Sequence, residues 1–285
     1  MLRWMCSTCF LCTAGQLVHT LPEGPPVAGV TTLAEHIYVL RPKDGRDQIE
    51  EYDASSYRLQ RCLTVPDIRG ITDMTSCKHF LCLYISDPNV ECIHRLNLKG
   101  NATKWPVSDK PYSLSVNARH NLVVTCNKVC KVKEFSPRGE LVRDVTLPGD
   151  VVNPSHTIQL TNGQFVVCHG RHADAVHRVC VVSADGGQSV CTHGGQRGSD
   201  TGQYDVPAHM AVDDNDFVFV ADVNNRRVTL LSPTLNYMRQ VVSRDQVKWW
   251  PGRLCLDVQR RRLYVAETEW KHGELTAGRV VVFSV

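Results

Sequence analysis

Two histidines stand in matching contexts, Pro154-Ser155-His156 and Pro207-Ala208-His209. Imidazole changes charge near neutral pH and ligates metals through a neutral ring nitrogen, so two that converge could support metal binding or acid–base chemistry. Glu23, in Leu21-Pro22-Glu23-Gly24-Pro25, adds a carboxylate. Cys6, Cys9 and Cys12 repeat every third residue, with His19 as a conceivable fourth ligand; zinc usually takes two separated pairs, and no second C-x-x-C follows. Cys126 and Cys130 are likewise isolated. A further set suits binding rather than catalysis: Arg226-Arg227, Lys131 with Lys133, Arg260 to Arg262, and Arg244 with Lys248 beside Trp249 and Trp250. An aromatic next to a cation suits a protein hot spot or a stacked base. No nucleophile elbow, glycine-rich phosphate loop or zinc-protease helix motif occurs, and paired carboxylates such as Asp213-Asp214 fall in turns.

The elements that must position these groups are short strands. Residues 207–233 read as three of them, stopped by Asn/Asp clusters and by Ser232-Pro233, the pattern of an antiparallel meander. Weaker copies recur. The middle strands centre on Val39, Ile85, Val124, Val167, Val220 and Val265, at steps of 46, 39, 43, 53 and 45 residues. Helical periodicity is almost absent. Four short strands per unit, repeated six times, predict an all-β, six-bladed β-propeller with four-stranded antiparallel blades. The sixth unit ends at Val285 after its third strand, so residues 15–21 are expected to supply the fourth and close the ring. Residues 1–285 are read as a single propeller unit, with 1–25 as N-terminal tail and closing strand. Gly29, Gly70, Ser113, His156, His209 and Arg253 would then gather at one mouth of the central channel, with His169 and His172 in a loop of blade four near the same face.

Composition narrows the classes. Lys and Arg number 32 against 29 Asp and Glu, a net charge of +3 that gives no general push toward nucleic acid or membrane. No run approaches the length of a membrane span. The N-terminal patch is broken by Ser, Thr and Cys, unlike a secretory signal. The 13 cysteines are odd in number and sit mostly inside apolar runs, as reduced, buried thiols do; a cytoplasmic protein is expected.

Residues 194–233 resemble an NHL repeat: Gly195, Gly198, Gly202-Gln203-Tyr204, Pro207, Val212-Asp213, Val220-Ala221-Asp222, Asn225 and Arg227-Val228 match its pattern. The sixth unit keeps Pro251, Leu256-Asp257, Tyr264-Val265-Ala266 and Arg279-Val280, with Glu267 in place of the Asp and an insertion over 270–278. The resemblance, to the NHL domain of tripartite-motif proteins, implies a propeller that binds protein, or in some members single-stranded RNA on a basic face. Asp222, Asn225 and Arg227 read as turn and packing residues.

Two enzyme families are similar in part. Peptidylglycine-amidating lyases hold zinc with three channel histidines, of which two are matched here. Gluconolactonases share the Glu-Gly-Pro around Glu23 but need an Asn at a strand entrance, absent from both Pro-x-His sites. The expectation is a non-catalytic interaction module, a scaffold with neither metal nor cofactor, that binds a protein through one propeller face. His156, His209, Arg253, Arg226, Trp249 and Trp250 are its candidate binding residues. The alternatives are a metal-dependent hydrolase or lyase at the channel mouth, and RNA binding. DNA and membrane are not expected partners.

Overall fold

A computed structural model describes residues 14–42, 48–65, 67–171 and 176–285. Each repeat folds as four antiparallel strands, because its alternating apolar residues can be buried only between two sheets. Blade one comprises Gly29–Leu33, His36–Arg41, Gln48–Asp53 and Leu59–Thr64; blade two Asp73–Cys77, Cys82–Asp87, Cys92–Asn97 and Ala102–Pro106. Blade three is Ser113–Val116, Leu122–Cys126, Lys131–Phe135 and Leu141–Thr146; blade four Pro154–Gln159, Phe165–His169, Val176–Val182 and Ser189–Gln196. Blade five is Pro207–Val212, Val218–Asp222, Arg227–Leu231 and Tyr237–Val242. Blade six takes Trp250–Asp257, Arg262–Lys271 and Glu274–Ser284 from the C-terminus and its outer strand, Gln16–Thr20, from the N-terminus.

The first strands of successive blades touch in order, and that of blade six returns to blade one, so the ring is closed. Between neighbouring blades lie six apolar clusters, such as Tyr84, Ile93, Leu122, Val124 and Phe135 between blades two and three. No helix among the described residues is long and apolar enough to cross a membrane.

Closure is built as the truncated sixth repeat requires. Leu17 pairs with Phe283 and Thr20 with Val281. The chain then crosses to blade one under Arg41, which is 2 % exposed. Its guanidinium donates to the carbonyls of Pro22 (2.9 Å), Pro25 (2.5 Å) and Gly278 (3.1 Å), and its Nε to Glu50 (2.7 Å). One buried cation thus pins the N-terminal segment, blade six and blade one together.

Close approach of blades also dictates glycine. A Cβ on Gly29 would lie 2.7 Å from Met74 Cβ and 2.8 Å from Met74 N in blade two. Gly29→Ala is therefore expected to force the two inner strands apart and to destabilise the protein by about 1–3 kcal/mol. The check is a fall in urea midpoint at unchanged slope.

Candidate functional site

The pairing register defines one equivalent position at the mouth end of each inner strand. Opposite the middle strands, Gly29 pairs with Leu40, Asp73 with Ser86, Ser113 with Thr125, His156 with Cys168, His209 with Ala221, and Arg253 with Ala266. Asp73, not Gly70, is thus the ring residue of blade two. Gly70 lies in the connection before the strand, against Asn89. In blades four to six a proline two residues earlier marks the position; blade two has Ile71 there, so only the ladder reveals it.

Asp73, His156 and His209 are buried, with ligand-type atoms within 4.8 Å of one another. The two imidazoles stack at 3.7 Å between centroids, 17° apart. Across the axis, His209 Nε2 lies 3.6 Å from Asp73 Oδ2, and Arg253 Nε lies 3.3 Å from Asp73 Oδ1. His156, His209 and Arg253 therefore do meet, joined by an aspartate. Glu23 does not: half-exposed, it pairs with Lys248 at 2.7 Å.

The hydrogen bonds show what holds this group. An innermost strand has an edge with no ladder partner, and its backbone N–H and C=O groups must be satisfied across the channel. Asp73 Oδ2 accepts from Leu114 N of blade three (2.8 Å). His156 Nδ1 accepts from Met210 N of blade five (3.2 Å), and His209 Nδ1 from Leu254 N of blade six (3.3 Å). Arg253 donates to the Ala28 carbonyl of blade one (3.0 Å) and to that of Thr72. Each side chain reaches forward and stitches the next blade.

These bonds fix the tautomers. A ring nitrogen that accepts a backbone N–H carries no proton, so both neutral imidazoles bear theirs on Nε2. His156 Nε2–H is donated to the Leu114 carbonyl at 3.1 Å, and His209 Nε2–H faces Asp73. With each Nδ1 taken by a backbone N–H, a metal would have to bind Nε2, which needs the proton on Nδ1, the reverse arrangement. A guanidinium beside the only carboxylate opposes a dication further. The residues present do not fit a metal of the lyase kind. Burial drives the His156 pKa well below its ordinary value, with His209 adding to the effect. Burial also lowers His209, partly offset by Asp73. Burial raises Asp73, but His209 and Arg253 outweigh it and hold the carboxyl below its usual range.

The basic and aromatic set is distributed as the strand order predicts, with Arg226 and Trp249 at the mouth end and Arg260–Arg262 at the far end. Trp249, expected as an exposed anchor, is 7 % exposed. Lys248 Nζ sits 4.3 Å from its ring centroid and the Arg279 guanidinium 5.8 Å, while Glu267 accepts its backbone N–H at 2.8 Å. Trp250 is half-buried at the start of the inner strand. Arg226 donates to the carbonyls of Val247 (2.7 Å) and Lys248 (2.5 Å), tethering the connection between blades five and six. Lys133 is buried between Asp109 and Asp144. Arg260 pairs with Asp257 and Glu35. Asp222 accepts from Asn225 and Arg227, both at 2.7 Å, inside its own turn.

His169, buried, accepts from Arg178 at 2.8 Å and pairs across the ladder with Pro154. His19 stacks on Tyr57 at 4.4 Å. Cys126 is buried and Cys130 ends the short turn that follows it. Cys6, Cys9, Cys12 and His172 lie outside the described residues.

Sequence reasoning missed two features. One is Asp73. The other lies at the far end, where the turns between first and second strands of blades two and three meet. There His79 and His120 stack at 4.2 Å and 3°, with Phe80 edge-on at 4.6 Å to His79. The signal was Lys78-His79-Phe80-Leu81, an aromatic and a leucine in a turn where polar residues are the rule.

Known protein families give no match to this chain, and no curated protein matches it. Solved structures do. The chain is similar to virginiamycin B lyase from Staphylococcus aureus, at 8 % identity and TM-score 0.60, over 93 % of this chain and 98 % of that one. It is similar to the Kuenenia stuttgartiensis hydrazine synthase structure at 12 % identity and TM-score 0.62, covering 91 % and 97 %. A nidogen/laminin complex contains a similar chain at 11 % identity and TM-score 0.62, covering 80 % and 84 %. Identities this low show a shared propeller fold and nothing of activity.

Proposed function

We propose that this chain is a non-catalytic interaction module, one propeller unit that binds a protein through one of its faces. The observation that carries the reading is the use of the channel-mouth groups. Asp73, His156, His209 and Arg253 are each bonded to the backbone of another blade. A general base needs a free lone pair directed at substrate, and a metal bound through the remaining Nε2 needs the opposite tautomer. The nidogen/laminin complex supports the class, as a similar fold in a protein–protein assembly. A reduced, cytoplasmic setting belongs to the same proposal, supported by ten described cysteines that are all free thiols, six of them buried.

The second reading, a metal-dependent hydrolase or lyase, rests on the proximity of Asp73, His156 and His209 and on the likeness to a lyase fold. Elemental analysis of the purified full chain separates the two. Substoichiometric zinc, manganese and iron, unchanged in His209→Gln, is the expected result. One equivalent of any of these, removed by His209→Gln, overturns the non-catalytic reading.

A further inference from the structure

The far end of blades two and three gathers four exposed cations around an exposed apolar pair. Many basic side chains are neutralised by a carboxylate, as Arg41, Arg227 and Arg260 are, and unpaired exposed ones such as Lys110, Lys128 and Arg244 sit singly. Lys78 and Arg119, in the turns that hold the stacked His79 and His120, are exposed and have no carboxylate partner. The same holds for Lys99 and Arg138, in the turns between third and fourth strands of the same blades. Glu134 at this end is already neutralised by Arg143, leaving Glu140 as the exposed acid there. Within this unbalanced positive field, Phe80 is 41 % and Leu81 50 % exposed. The aromatic rings take up one another's faces: His79 covers His120, and Phe80 stands on edge against both. What they leave outward is Phe80 beside the aliphatic Leu81.

We infer that this patch is the docking surface of the module, and that its partner is an acidic protein segment carrying an apolar or aromatic anchor residue. The inference rests on the protein-binding reading and names a face for it, the one opposite the channel mouth. Lys78, Lys99, Arg119 and Arg138 steer and align the carboxylates, while Phe80 and Leu81 seat the anchor. A nucleic-acid strand would share the charge, but the aliphatic Leu81 beside Phe80 suits an apolar side chain better than a stacked base. The acidic turn Asp213–Asp216 of blade five lies at the same end of the ring. It keeps acidic partners to the side of blades two and three.

Fluorescence anisotropy of the full chain with a labelled peptide alternating Glu and Asp around one Phe-Leu pair tests this. Binding is expected, absent for the same peptide with Lys in place of the acids. It should weaken at least tenfold in Lys78→Glu/Arg119→Glu and severalfold in Phe80→Ser, with unchanged circular dichroism. Lys110→Glu, in the connection leading to the mouth end, should bind like the parent. Failure of the acidic peptide to bind, equal binding by the charge-reversal variant, or tighter binding of an oligouridine of similar length overturns the inference. Cross-linking of the parent and the charge-reversal variant in cell extract isolates the broader reading. Partners kept by both would leave the interaction module standing with its face misassigned, and no partner for either would remove the module reading as well.

Discussion

Arg41→Met should unfold this protein more readily than any surface change, at a cost of about 3–5 kcal/mol. The substitution preserves much of the side-chain volume and removes the charge and all donors. It leaves Glu50 facing a buried thioether, with Tyr52 Oη at 2.9 Å as its remaining partner, it orphans the carbonyls of Pro22 and Pro25, and it leaves that of Gly278 with Gly24 N–H alone (3.0 Å). Pro22 and Pro25 belong to the segment that carries the closing strand into blade one, so the loss acts on ring closure itself. A circular repeat protein buries one face of each end blade against the other; freeing one end exposes those faces of blades one and six together. The expected measurement is a large drop in urea midpoint with hydrogen exchange rising first in Gln16–Thr20 and Glu274–Ser284. Arg41→Lys should recover little, since one ammonium cannot reach three carbonyls and a carboxylate from a single fork. A midpoint within about 1 kcal/mol of the parent would mean that the latch holds without its clamp.

The blades and the latch were legible in the sequence because both depend on local signals. Alternating Val, Leu and Ile runs bounded by Asn, Asp, Gly and Pro mark each strand, and a sixth unit lacking its outer strand calls for one from elsewhere. The composition of the ring was legible only in part. His156, His209 and Arg253 follow a proline by two residues, and that local mark located them. Asp73 has no such mark, and its place in the ring is a matter of inter-strand register. That it faces His209, three blades away, follows from closure alone. Trp249 illustrates the other limit. Beside Lys248 it looks like an exposed anchor, yet Arg279 and Glu267, from later strands, fold over it. Burial of an aromatic depends on which distant residues arrive above it, and no spacing encodes that. The same holds in reverse for Phe80, which stays 41 % exposed although the rings of His79 and His120 stand against it.

The imidazole pair makes a second strong expectation, a loss of stability in mild acid. Folding lowers the pKa of both His156 and His209, so the unfolded chain, with histidine near 6.5, binds protons more tightly than the folded one. The stabilisation is therefore complete above about pH 6.5 and declines as pH falls below it. Each histidine contributes a slope of up to about 1.4 kcal/mol per pH unit until its own folded pKa is reached. With both titrating, the fall is about 2.7 kcal/mol per unit at its steepest. The geometry explains the direction. A proton on either Nδ1 would face the N–H of Met210 or Leu254, donor against donor, and a second positive charge would join Arg253 around one carboxylate. Asp73 opposes this for both rings but bonds only His209, and His209 further depresses His156, which is why His156 shifts further. Asp73 itself acts in a separate window: its lowered pKa gives stability that is present above about pH 3.9 and lost below it. His94 and His193, also lowered by burial, add to the acid limb, so the diagnostic quantity is a difference. Urea midpoints between pH 7.5 and 5 should fall steeply for the parent and less steeply for His156→Gln/His209→Gln, whose amides can still accept from Met210 and Leu254 but take up no proton. Parallel curves for the two proteins would show that the channel imidazoles do not sense pH, and that the acid limb belongs to the other buried histidines.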